Sequence, residues 1–164
     1  MFRKASLAIA ASALLIASPA FSGDPTTPAT SPKQTVMPET ESGRAFFEQF
    51  GFSEAVIHGD TVYLSGVIAG SGPEGSDREE AYDRTFQYIG GVLERAGSSW
   101  DDVIDITTYH VDIDDSMPVL AAVKNRYVKA PFPTWTAIDI DRLFVASGEV
   151  EIKIIARITP KPEG

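Results

Sequence analysis

Between Ser53 and Ile158 the apolar residues switch repeatedly between a period of two and a period near 3.6, which restricts this stretch to a sheet carrying helices. Ala55-Val56-Ile57-His58 and Thr61-Val62-Tyr63-Leu64 are runs of β-formers joined by Gly59-Asp60, a two-residue turn with glycine where positive φ is wanted. Tyr82, Thr85, Phe86, Ile89, Val92, Leu93 and Ala96 then recur at helical spacing, with Ser76 and Glu79 as a capping box and Gly97 as the stop. Residues 102–112 are β-rich and long enough for a strand buried on both faces. Asp114, Asp115 and Ser116 can cap a second helix with Pro118 in its first turn and Val119, Leu120, Val123 and Tyr127 on its face. Ala130-Pro131-Phe132-Pro133 ends that helix. Strands over 134–140 and 150–158 complete the order ββαβαββ, an α+β fold with both helices on one side of a mixed sheet. The other sheet side carries apolar residues too, so it needs a partner, and self-association across it is expected.

Ahead of this unit the pattern is different. Arg3 and Lys4 precede an apolar run from Leu7 to Ala17, Pro19 interrupts it, and Ala20-Phe21-Ser22 presents small residues where a signal peptidase reads. The run is short for a bilayer span of about 20 residues. Residues 1–22 are therefore read as a signal peptide cleaved after Ser22, giving a periplasmic or secreted protein with no membrane attachment after cleavage. Residues 23–42 hold four prolines among Thr, Ser and Lys and read as a flexible linker. A folded domain over 43–160 and a tail over 161–164 follow.

Composition removes several function classes. The 164 residues include no cysteine, which excludes a disulfide framework, a thiol nucleophile and Cys-ligated metals. Two histidines make a multi-His centre a poor fit, and the acidic group Asp112, Asp114 and Asp115 reads as a helix entry rather than a cation site. The net charge of −9 disfavours nucleic acid as a partner. Gly70-Ser71-Gly72-Pro73-Glu74-Gly75 lacks the lysine of a phosphate loop, and Ser65-Gly66 lacks the flanking glycines of a nucleophile elbow. No metal, flavin or nicotinamide site is expected, and no other cofactor.

The run Ala55–Gly66, the segment Ala96-Gly97-Ser98-Ser99-Trp100-Asp101-Asp102-Val103 and the start of the last strand, Val150-Glu151-Ile152, resemble the RidA/YjgF family of imine/enamine deaminases. Ile106-Thr107-Thr108-Tyr109-His110, Val123-Lys124-Asn125 and Pro133-Thr134-Trp135-Thr136-Ala137 resemble its YjgH-like branch. The resemblance implies a chorismate-mutase-like homotrimer whose sheets line a central barrel, with a small-molecule cleft at each subunit interface. It also implies an arginine clamp just after the proline of the penultimate strand, where this chain has Trp135. A last-strand glutamate is matched by Lys153, and a first-strand tyrosine by Phe52. An asparagine of the second helix is matched by Lys124, with Asn125 adjacent, and Gly66 is retained.

Losing one charge-assisted contact costs about 2–4 kcal/mol in transition-state binding. With two family groups replaced, the expected function is an envelope protein binding a small metabolite in interface clefts. Imine or enamine hydrolysis with divergent groups is the alternative, and protein binding a third reading. The ligand-site candidates are Phe52, Gly66, Tyr127, Trp135, Thr136 and Lys153. Lys153 and His110 are the catalytic candidates. Each has a plainer reading: Trp135 and Tyr127 as packing, Lys153 as a solvent-facing alternate, and His110 as a satisfied structural histidine.

Overall fold

A computed structural model describes residues 32–70 and 77–159. Residues 1–22, read above as a signal peptide, linker residues 23–31, most of the Gly70–Gly75 loop, Ser76, Pro160 and tail residues 161–164 lie outside them. The elements are β1 (Gln34–Val36), α1 (Glu41–Phe50), β2 (Ala55–His58), β3 (Thr61–Leu64), β4 (Val67–Ala69), α2 (Arg78–Arg95), a 3-10 turn at Trp100–Asp102, β5 (Val103–His110), α3 (Ile113–Tyr127), β6 (Thr134–Asp139) and β7 (Val150–Arg157). One mixed sheet runs β1-β2-β3-β7-β5-β6, with β4 also paired to β7. All its pairings are antiparallel except β5 with β6, whose parallel register requires the crossover through α3.

The α+β reading holds, and the hairpin closes at Gly59-Asp60 with Gly59 at φ 63°. Gly97 ends the α2 region at φ 78°. Several boundaries move. The N-cap of α2 is Asp77, whose carboxylate accepts from the N–H groups of Glu79 and Glu80, in place of the expected Ser76. The N-cap of α3 is Asp112, accepting from Asp115 N–H at 3.1 Å, and Pro118 falls beyond the first turn.

The linker reading stops short of residue 34. Gln34–Val36 form a strand on β2, and the third helix α1 begins at Glu41, held by the Thr40 hydroxyl accepting from Gly43 N–H and closed by Gly51 at φ 72°. Strand β5 is buried on one face only. Val103, Ile106, Thr108 and His110 are buried, whereas Thr107 and Tyr109 are partly exposed.

The core lies between the sheet and α2/α3. Tyr82, Phe86, Ile89 and Leu93 of α2 and Leu120 and Val123 of α3 pack against Val62, Ile106, Val150, Ile152, Ile154 and Ala156. Trp100 and Tyr127 flank Phe86 with ring centroids 5.4 Å away in each case. Among the described residues no layer covers the other sheet face, and Tyr63 and Ile138 stand 44% and 40% exposed on it.

Truncating the sealed layer should be costly. Ile152→Ala and Leu120→Ala are each expected to lower unfolding free energy by about 2–5 kcal/mol in urea titrations.

Candidate functional site

The site forms where two strands share one edge of β7. β3 pairs Tyr63 with Ile155, and β4 pairs Val67 with Ile152, so the β3–β4 side carries one extra residue at Ser65-Gly66. The break is anchored: Ser65 donates its N–H to Glu54 O at 2.9 Å and its hydroxyl to Ser53 O at 2.6 Å. Glu151 lies across Gly66 so closely that a Cβ there would stand 2.0 Å from Glu151 Oε1. Only glycine fits.

Around this junction is an open cleft of about 590 Å³ on the uncovered sheet face, lined by Tyr63, Ser65, Gly66, Tyr109, Arg142, Phe144, Glu151 and Lys153 among others. Lys153 is exposed on β7 and pairs in register with Thr107, while Glu151 pairs with Tyr109. Arg142 comes from the loop after β6. Neither Arg142 nor Lys153 joins an ion pair among the described residues. Two cations, one carboxylate and two tyrosines therefore line one cleft, an arrangement suited to a small anion.

The opposite face holds the other candidates. Trp135 pairs with buried Ile106 and packs on the helix side of β6. Its indole N–H donates to Thr108 Oγ1 at 3.1 Å, and Lys124 Nζ sits 4.6 Å from its ring centroid. Lys124 is 7% exposed and donates to Asn125 Oδ1 at 2.9 Å, and burial lowers its pKa.

His110 is fully buried, with Nε2 2.9 Å from Thr108 Oγ1 and Nδ1 2.7 Å from Ser116 Oγ. Ser116 already donates to Asp112 O, so His110 Nδ1–H must donate to Ser116 and Nε2 must accept from Thr108. Trp135, Thr108, His110 and Ser116 thus form one directional chain with each donor placed. Burial lowers the His110 pKa, only partly opposed by the negative charge of Asp139. The histidine lies on the helix side of the sheet, outside the cleft lining.

Trp135 and Lys153 are therefore on opposite faces of the sheet, and within one subunit they do not line the same cleft. Thr136 is on the open face in the row Lys153-Thr107-Thr136, but outside the cleft lining. Tyr127 is in the helix layer, its hydroxyl donating to Asp83 Oδ1 at 2.9 Å. Phe52 borders a second, apolar space beside Gly66 and stacks on Phe47 at 4.2 Å.

Residues 44–158 match the family described as Endoribonuclease L-PSP. The chain belongs to this family, the RidA/YjgF proteins. It is 32% identical over 118 residues to the RutC family protein YjgH of Escherichia coli K12, covering 70% of this chain and 88% of that one. A 2-iminobutanoate/2-iminopropanoate deaminase of Dermatophagoides farinae is 30% identical, covering 65% of this chain and 85% of the relative. The solved structure of protein YjgH superposes with a TM-score of 0.64 at 30% identity, covering 79% and 98% of the two chains.

Within this RidA/YjgF domain, sequence reasoning missed two charged groups that line the cleft, Glu151 and Arg142. Glu151 shares a strand face with Lys153 two residues on, so the period-two pattern already put a carboxylate beside that lysine. Arg142 had no such signal, because a loop residue carries no periodicity.

The neutral buried His110 makes stability sensitive to mild acid. Its folded pKa lies below the unfolded value of about 6.5, so its contribution is complete above that value and is lost as pH falls through the folded pKa. The urea midpoint should fall between pH 7.5 and 5.5, and His110→Gln should flatten that fall.

Proposed function

We propose that the Gly66–Glu151 cleft binds 2-imino acids or their enamine tautomers and hydrolyses the C=N bond to a 2-oxo acid and ammonia. The observation that carries this reading is the meeting of Arg142, Lys153 and Glu151 around one glycine-floored cleft. Arg142 and Lys153 suit the substrate carboxylate, the guanidinium by its two-pronged fork and the ammonium as a point charge. Glu151 suits orientation and activation of water for attack on the imine carbon. Water adds to that carbon, the C–N bond breaks, and nitrogen leaves as ammonia once it has gained a proton.

The replacement of a clamp by Trp135 and of a carboxylate by Lys153 no longer argues against hydrolysis, since Arg142 and Glu151 line the cleft instead. The deaminase names of some relatives support the same reading. An endoribonuclease role fits the net charge of −9 poorly. Metabolite binding without turnover is the second reading, favoured by two cations facing a single carboxylate.

Hydrolysis of 2-imino acids generated in situ tests both readings. Glu151→Gln is expected to lower kcat about 100-fold or more, and Arg142→Ala to act chiefly by raising KM. Wild-type binding of 2-oxo acids without any turnover would leave metabolite binding only.

We also infer an exported homotrimer, on the apolar leader and on the half-exposed Tyr63 and Ile138 of the uncovered face. Native mass spectrometry of the purified protein should find three copies of a subunit that starts at Gly23. A monomer, or a subunit retaining Met1–Ser22, would contradict the corresponding half of this inference.

A further inference from the structure

Beside the polar cleft, and sharing Ser65, Gly66, Phe144 and Glu151 with it, is an apolar pocket of about 530 Å³. Its walls are built by rings: Phe46, Phe47 and Phe50 from α1, Phe52 from the turn before β2, and Phe144 from the loop after β6. Phe46 and Phe50 lie 4.9 Å apart, Phe47 stacks on Phe52, and Phe50 meets Phe144 edge-on at 5.8 Å. Phe50 is 52% and Phe144 72% exposed, so water meets a contiguous aromatic surface and not scattered single rings.

The pocket is apolar in charge as well as in surface. Besides Glu151 at the junction, its only ionisable carboxylate is Glu54, whose side chain is 3% exposed. Arg95 pairs with it at 2.5 Å, and the Tyr88 hydroxyl donates to it. With Glu54 neutralised in this way, nothing in the pocket calls for a cationic ligand.

We infer that this pocket is a side-chain subsite, and that the substrate is a 2-imino acid with a large aromatic or branched apolar side chain. The inference rests on the imino-acid reading of the adjoining cleft and narrows its substrate class. Its basis is the position of Glu151, which walls both spaces because Gly66 has no side chain to displace it. A 2-imino acid bears its carboxylate and its side chain on one carbon. With that carbon beside Glu151, the carboxylate reaches toward Arg142 and Lys153 while the side chain enters among the phenylalanines. A methyl side chain would leave most of the 530 Å³ empty.

Calorimetric titration with two product-type acids, 3-phenyl-2-oxopropanoate and 2-oxopropanoate, tests the subsite without depending on turnover. The phenyl compound should bind about 10- to 100-fold more tightly. Phe50→Ala and Phe144→Ala should each reduce that ratio at least fivefold, and since both rings are largely exposed, circular dichroism should show native folds. Equal affinities, absence of binding by either acid, or an intact ratio in both variants would overturn the subsite. So would loss of assembly in Phe144→Ala with the ratio unchanged, which would mark the rings as a contact with another copy.

Hydrolysis of 2-iminopropanoate with equal affinities would overturn the subsite and leave the hydrolase reading standing. A phenyl preference without turnover would do the reverse.

Discussion

The last strand is the constraint from which the rest of the structure follows. β7 hydrogen-bonds to β3 and β4 along one edge and to β5 along the other, so it joins the hairpin half of the sheet to the crossover half. Its alternation is strict. Val150, Ile152, Ile154 and Ala156 are sealed beneath the helices, and Glu151, Lys153, Ile155 and Arg157 face away from them. One short sequence therefore supplies both the centre of the core and two of the charged groups in the cleft. The period of two allows no other division of these residues once one face is buried.

The site follows from a local irregularity on the same strand. Two short strands must share an edge of β7 with one residue to spare, and the spare residue falls at Ser65-Gly66. The missing side chain at Gly66 lets the Glu151 carboxylate lie against the backbone, where it borders a charged cleft on one side and a ring-lined pocket on the other. A single carboxylate thus borders both spaces. On the other face, each donor of the buried Trp135–Thr108–His110–Ser116 chain has an acceptor, which fixes the packing of β5, β6 and the start of α3.

Much of the fold was legible in the chain because its signals are local. Gly59-Asp60 demanded a turn, the Tyr82–Ala96 spacing demanded a helix, and Gly97 demanded its end. α1 was equally readable in principle, with Thr40 as N-cap and Gly51 as stop, but its three phenylalanines bury no residue fully and imitate no core-facing stripe. β1 and β4 are three residues each, too short for a period to register. Arg142 lies in a loop, where sequence patterns carry no directional information.

The sequence by itself determined the family, the α+β class and the two-sided division within each strand, since these depend on neighbours along the chain. It could not determine which residues of different strands share a face. Trp135 and Lys153 looked like partners in one site, and only the registers of β6 on β5 and of β5 on β7 set them on opposite sides of the sheet. The physical reason is that strand parity is local, whereas its phase relative to another strand is set by hydrogen-bond register, and a shift of one residue reverses every side chain. Tertiary structure alone decided that Glu151, Arg142 and the phenylalanines of α1 would meet at Gly66.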